Sequence, residues 1–373
     1  MGKRELLLIG GFVLVGVLVY LVTAPAPAPG QQGFSIGKLM EEVRREVRGH
    51  QSSVEVKTSR TAPLTAGVTE IRFETAGATL AISGEDRKDV GFDMVVWSNG
   101  YDEADARKYA SETELRLTEV GRALLVDIKY PEPGQQRATL TVRVPRALAV
   151  RVQQSRGKLE VADVLSAELV DSRGQVTIRR VSGRLAVTHR GGTLTLESIG
   201  QLKLNARGSV VTLKDVKGNA TLQLQAGELR ATALAGPVEL ESNGTGITFE
   251  VPAPAAKPMR LSTVGGSLNV SGLATELRVD SRDTKIEIAI DKPAPVEIYA
   301  EGDPPMIVTL PPSGFDLEAV AIESRITVPD GLVDVSSTAT EQRAAGSIGG
   351  GGPKITLRSS HGEITIRSRK PDA

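Results

Sequence analysis

Chemistry in a protein is carried first by histidines, nucleophiles and gathered acids, and this chain offers few of them. Its three histidines are His50, His189 and His361. They are scattered, and none has a second histidine at a metal-ligand interval. His189 and His361 stand beside glycines, where solvated turn residues are expected. Ser155, Ser172, Ser182 and Ser359 lack the G-x-S-x-G context of a nucleophile elbow. Arg190–Gly192 reads "RGG". It has the glycines of a phosphate-cradling loop but not the lysine and following Ser/Thr, so it reads as a chain corner. Cysteine is absent, which excludes disulfides, thiolate metal sites and cysteine nucleophiles. The sequence therefore assigns no catalytic, cofactor-binding or metal residue and implies no cofactor.

Composition narrows the partners. Lys plus Arg number 45 and Asp plus Glu 45, so no net charge draws the chain to nucleic acid or anionic lipid. Basic patches interleaved with stacking aromatics are missing from the linear sequence, and no nucleic-acid partner is expected. Hydrophobic residues make up 40% and aromatic residues 3%. A sizeable core is available, and it must be aliphatic, which suits a narrow repetitive interior.

The chain opens "MGKRELLLIGGFVLVGVLVYLVTAPAPAPG". Leu6–Val22 is uninterrupted by charge and is at the short end of what spans a bilayer. Lys3 and Arg4 precede it, and no Lys or Arg follows until Lys38. The positive-inside rule places residues 1–5 in the cytoplasm, a membrane anchor over 6–23, and the bulk outside the cytoplasm, in a periplasm or at a cell surface. A cleaved signal peptide is the rival reading. Pro25 and Pro27 follow the candidate scissile positions and disfavour it. Residues 24–35 form a Pro/Ala linker with a polyproline stretch. Over 36–50, Ile36, Leu39, Met40, Val43 and Val47 fall at helical spacing, predicting a short amphipathic helix.

From residue 54 to 152 the period falls to two, predicting a β-rich lead-in domain interrupted by one helix over Asp102–Arg116. A repeat follows over 153–290. With Gly174 as slot zero, Val176, Ile178, Val181, Gly183, Leu185 and Val187 stand at the slots that Leu229, Ala231, Leu234, Gly236, Val238 and Leu240 occupy after Gly227. Gly157, Gly192 and Ser209 start further copies, so the starts alternate 17 and 18 residues apart. Thr245, Gly266 and Thr284 begin looser copies. Residues 291–373 form a C-terminal β region, with "PKITLRSSHGEITIR" as a closing repeat. Two stretches are expected to be loops: the proline-rich Val251–Met259, exposed, and the glycine-rich Thr338–Gly352, flexible.

Alternation turns one face of each strand inward, and no repeat can bury that face alone, so neighbours must stack. The expected fold is all-β: a β-solenoid of about 17–18-residue coils, behind the lead-in domain and a single transmembrane helix. Stacked antiparallel hairpins or a β-sandwich are the alternative. Ile178 should point inward between Val161 and Leu196, and Thr177 outward.

A β-helical polysaccharide lyase or hydrolase needs acids gathered on one outer face. Slot +3 reads Glu160, Thr177, Thr195, Thr212, Arg230, Thr248, and slot +5 reads Ala162, Arg179, Glu197, Lys214, Thr232. Neither column gathers carboxylates.

The N-terminal span, the β-rich lead-in, repeats such as "DSRGQVTIRRVSG" and the closing "SSHGEITIRS" together resemble the bacterial putative-adhesin domain family of unknown function, over roughly Val54 to Arg367. The resemblance implies a cell-envelope protein and brings no catalytic residues. The coil length is also similar to that of bactofilins, which polymerise, but the span and lead-in keep filament formation from carrying over. The expectation is a non-catalytic, membrane-anchored envelope protein presenting a surface for adhesion, scaffolding or binding of an envelope protein or polysaccharide. A carbohydrate-active β-helix enzyme is the alternative.

Overall fold

Residues alternating at a period of two form strands, and the computed structural model of this chain is all-β with one helix among the described residues. The structure describes residues 52–75, 77–132, 135–153, 156–251 and 257–369, together with Gly16. The expected membrane span (Gly16 apart), the linker, the amphipathic helix, His50 and Ser155 lie outside the described residues. Among the described residues no helix is long and apolar enough to cross a membrane.

From residue 52 the described residues form strands β1 (Ser52–Pro63), β2 (Glu70–Phe73), β3 (Thr79–Glu85) and β4 (Asp89–Gly100). Helix α1 (Glu103–Glu112) follows, capped by Asp102, whose carboxylate accepts the Asp105 N–H at 2.9 Å. It stops short of the expected Arg116 because "ELRLTEV" alternates at a period of two and forms β5 (Glu114–Val120), antiparallel to β6 (Ala123–Lys129). Then come β7 (Gln136–Pro145), β8 (Ala149–Gln153), β9 (Arg156–Ala162), the long bending β10 (Ser166–Val216), β11 (Ala220–Leu234), β12 (Val238–Glu250) and β13 (Met259–Leu273). The C-terminal strands are β14 (Leu277–Arg282), β15 (Lys285–Ile290), β16 (Val296–Gly302), β17 (Met306–Leu310), β18 (Phe315–Ile322), β19 (Ile326–Thr327), β20 (Val335–Ser337), β21 (Glu341–Ile348), β22 (Lys354–His361) and β23 (Ile364–Ser368).

These strands form one open sheet whose pairings fall into two ladders. In the first, β6, β2, β8, the Ser166–Val170 part of β10, and further on β11, β12, β13, β14, β16, β22 and β18 follow one another in parallel. In the second, β7, β3, β9, the Arg173–Arg179 part of β10, and further on the later halves of β11, β12 and β13, then β15, β17, β23 and β19 do the same. Each pass of the chain thus contributes to both ladders. Pairing across 156–310 is parallel, so stacked antiparallel hairpins do not describe this stretch. The ladders run through the 152/153 boundary without a break, because β8 and β9 both pair with β10.

Order along the ladders departs from chain order at both ends. β2 and β3 lie between β6–β7 and β8–β9, and β22 and β23 are inserted between β16–β17 and β18–β19. Antiparallel strands cover the ends: β4 on β7 and β1 on β4 at one, β21 on β18 and β20 on β21 at the other. This corrects the expected flexible loop at Thr338–Gly352. "EQRAAGSI" is a strand, its Ala344 is buried, and Gly349–Gly352 make the turn into β22. Val251–Met259 also differs from a simple exposed loop. Both its ends are buried strand neighbours, Val251 donating its N–H to the Ser271 carbonyl and Met259 pairing with Val238; residues 252–256 are outside the described residues.

The inward residues form one continuous core, mostly aliphatic but with Phe73, Phe92, Phe249 and Phe315 buried in it, so it is not wholly aliphatic as expected. Ile178 is fully buried and pairs with Val161, while Thr177 pairs with Glu160 on the outer face. Burying one such aliphatic side chain contributes about 1.5–3 kcal/mol, and the repeat supplies them pass after pass. Slot zero holds glycine for two reasons at Gly174: its φ is +93°, and a Cβ would stand 2.6 Å from the Gly157 carbonyl oxygen of the preceding pass. Where Ser209, Thr245 and Thr284 take that slot, the positive φ moves one residue earlier, to Gly208, Gly244 and Asp283. Their buried hydroxyls then donate to corner carbonyls, of Arg207, Asn243 and Arg282.

Candidate functional site

The residues singled out by type do not converge. His361 is exposed, with Nε2 3.0 Å from a Glu323 carboxylate oxygen. His189 is not the expected solvated turn residue. Its slot faces inward, it has no exposed surface, and its Nδ1 lies 3.0 Å from Ser172 Oγ. Burial pushes its pKa below the ordinary value, opposed by a hydrogen bond to the Ser172 backbone. Ser172 itself is buried and donates to the Thr188 carbonyl. Ser182 is exposed at a corner, and Ser359 is buried and donates to the Gly362 carbonyl. Among the described residues no group of three His, Asp or Glu is placed to hold a metal.

Slots +3 and +5 lie on the outer face of the second ladder, as their register requires. Thr212 pairs with Arg230 and Arg230 with Thr248; Arg179 meets Glu197 at 3.4 Å. The polar architecture that sequence reasoning missed is on the outer face of the first ladder. Parallel register sets its residues in columns. One runs Ser262, Asp280, Tyr299, Arg358, Val320, and ends against Arg343 of the antiparallel β21. Beside it runs Val264, Arg282, Glu301, Ser360, Ile322, Glu341. On the other side run Arg260, Arg278, Glu297, Thr356 and Glu318.

Two adjoining grooves occupy this grid and share Ser262 and Asp280. The larger, about 820 Å³, is lined by Tyr299, Arg282, Arg358, Glu301, Glu341 and Arg343, with exposed Val264 and Ile322 at its edges. The other, about 620 Å³, gathers Glu239, Glu241, Glu276, Asp280 and Glu297 with Arg260 and Arg278. Carboxylates do meet here, on a face that slots +3 and +5 do not sample. Arg278 bonds Asp280 at 3.1 Å and Glu297 at 3.2 Å, and its guanidinium lies 5.5 Å from the Tyr299 ring centre. Arg358 stands 5.9 Å from the same ring and has no ion pair among the described residues. Glu318 is held by Lys354 at 2.7 Å and Arg343 at 2.9 Å, and the Lys354 hydrogen bond foremost holds its carboxyl below the usual range. A carboxylate so paired is a standing acceptor and the opposite of a general acid, which needs a raised pKa. The signal was present in the sequence at the second-half slots: Glu239 and Glu241 follow Gly227 by the same intervals as Arg278 and Asp280 follow Gly266.

No protein-family model matches the chain, and no curated protein matches it. Among solved structures, a putative adhesin from Parabacteroides merdae is 11% identical, over 84% of this chain and 96% of its own, with a TM-score of 0.29. A putative lipid binding protein from Parabacteroides distasonis is 11% identical, over 84% and 97%, at 0.28. A putative cell adhesion protein from Clostridium sporogenes is 9% identical, over 85% and 100%, at 0.20. Two of these names agree with the adhesin resemblance of the sequence. Superposition this slight carries no argument about structure or activity.

Proposed function

We propose that this chain is a non-catalytic cell-envelope protein. In this reading its stacked passes form a β-solenoid, the span over 6–23 holds it in a membrane with the N-terminus cytoplasmic, and the outer face of the first ladder binds a partner for adhesion or scaffolding. The observation that carries the reading is the pair of grooves sharing Ser262 and Asp280, built on consecutive paired strands. A face fixed by backbone pairing keeps its side chains in register at little entropic cost on binding. Three of its carboxylates, Asp280, Glu297 and Glu318, are engaged by Arg278, Lys354 and Arg343, an arrangement that suits those three to hydrogen-bonding a polar partner and not to acid–base turnover.

The test compares faces. Capture of envelope components by the extracytoplasmic part should fall strongly in Tyr299→Ala with Arg358→Ala, and stay unchanged in Thr177→Ala on the second ladder. Equal capture by all three proteins contradicts the assignment of the binding face. Turnover of a polysaccharide, abolished by changing Glu239 or Glu297, contradicts the non-catalytic reading. For topology, the chain should remain in the membrane pellet after carbonate washing at full-length mass. A soluble species beginning near Pro25 or Pro27 contradicts the anchor.

A further inference from the structure

Net charge is zero over the whole chain, yet the fold concentrates positive charge at one corner. Arg173 pairs directly with Arg156 across β10 and β9. Arg190 comes next: Ser172 reaches its neighbours Thr188 and His189, and Gly192 stacks on Gly174. Arg207 follows, because the Gly191 N–H donates to Ser209 Oγ at 3.1 Å and Gly191 lies over the Gly208 carbonyl. Four arginines from well-separated stretches of sequence therefore form one exposed row. At strand spacing the row is about 14 Å long, with a step of one residue between Arg173 and Arg190, because Gly192 stacks on Gly174 and so Gly191 stands opposite Arg173. Arg190 touches Asp171 at 3.2 Å. Arg156, Arg173 and Arg207 have no ion pair among the described residues.

We propose that this arginine row binds an acidic polysaccharide lying along the corner. The row is one side chain wide, which fits a linear polyanion better than a membrane plane, where a broad basic face with apolar insertion is needed. Its flanks include amides and hydroxyls: Gln175 and Thr193 on one side, beside Lys158, which is bound to Glu160, and exposed Val210, and Asn205 on the other. Gln225 and Asn243 continue the column in register. Guanidiniums take carboxylate or sulfate groups, and amides and hydroxyls take sugar hydroxyls. No aromatic side chain stands in the row, so bases have nothing to stack on, which disfavours single-stranded nucleic acid. The opposite corner shows the contrast. There Arg180 is tied to Asp163 through two hydrogen bonds, at 2.7 and 2.6 Å, and presents no unpaired charge. The column runs on from Arg207 through Gln225 and Asn243 to Val264 at the edge of the larger groove, so the row lies three strand steps from that groove on the same face.

Calorimetric titration of the full chain in detergent with polygalacturonate tests the proposal. Binding should weaken as salt is raised, because exposed charges are screened. The R156Q/R173Q/R207Q variant should bind at least about tenfold more weakly, with an unchanged melt. R156K/R173K/R207K should keep most of the affinity, and Arg180→Gln all of it. Neutral dextran should not bind. An undiminished affinity in the glutamine variant, a salt-independent affinity, or equal binding of dextran overturns the proposal. Preferential binding of phosphatidylglycerol vesicles or of a single-stranded polynucleotide overturns it as well.

Discussion

Each pass of the chain turns twice, and the two corners solve the same problem with different residues. At the first, slot zero combines a positive φ with an approach to the carbonyl of the pass before, and Gly174 serves both needs at once. At the second, the two needs are divided. Asp163, Arg180, Ser198, Asp215 and Ala233 take the left-handed conformation, with φ between 53° and 61°. Glycine with ordinary φ follows three residues after Arg180, Asp215 and Ala233 and two after Ser198, because a Cβ there would meet the previous pass: 2.7 Å from the Leu165 oxygen at Gly183, 2.6 Å from the Gly200 oxygen at Gly218. The first corner accordingly faces inward with buried polar groups, His189 and the slot-zero hydroxyls, and outward with unpaired arginines. At the second, Arg180 is tied to Asp163. Two glycine columns of the same spacing thus report different constraints, one conformational and steric, the other steric alone.

Breaking the first column should cost most. Gly174→Ala places a Cβ against the Gly157 carbonyl at a φ that L-residues avoid, for an expected loss of about 3 kcal/mol, read as a lower urea midpoint. Gly218→Ala meets the same kind of backbone oxygen without the conformational term and should lose about 2 kcal/mol. Equal losses at the two would erase the distinction between the corners. Either loss is large against a typical total of ~5–15 kcal/mol.

His189 gives the first corner a pH dependence at higher pH than the one Asp163 gives the second. Its folded pKa is lowered, so the unfolded chain binds the proton more readily. Stability should be full above the unfolded pKa of about 6.5 and fall as pH drops from there through the folded value. Asp89, Asp163, Glu318 and Glu363 are lowered by their arginine or lysine partners and act only at lower pH. His189→Leu should flatten the slope below pH ~6.5 in melts across that range. A variant with the wild-type slope would place the titration elsewhere.

The smallest effects belong to the second corner. Arg180→Ala removes its exposed pair with Asp163 and should shift the melting point little, because a solvent-exposed ion pair is screened. Ala233→Gly relieves a left-handed alanine, partly offset by the freer unfolded chain, and should raise stability by about 0.5 kcal/mol, read as a higher melting point.

Much of this was legible in the sequence because the repeat is written in aliphatic alternation. Val176, Ile178, Val181, Leu185 and Val187 are buried where their slots require, and slots +3 and +5 face outward. Three things were not legible. His189 looks like a turn residue beside "RGG", and only the inward parity of its slot reveals burial. "EQRAAGSI" has too few large apolar residues to read as a strand; pairing with β18 makes it one. The grooves and the arginine row depend on residues brought side by side from neighbouring passes, at slots in the second half of each repeat. Insertion of β22–β23 between β16–β17 and β18–β19 sets Arg358 beside Tyr299, and no local pattern announces it.

The central claim is that passes separated by more than a hundred residues of chain keep one register. The absence of cysteine allows it to be measured directly. Nitroxide labels at Glu160→Cys and Asn269→Cys sit in one outward column, six strand steps apart through Thr177, Thr195, Thr212, Arg230 and Thr248. Pulsed electron–electron double resonance should return a single narrow distance near 29 Å, from ~4.8 Å per step. A broad distribution, or a mean more than ~10 Å away from that multiple of the strand spacing, would contradict the stacked register on which the binding face and the arginine row both depend.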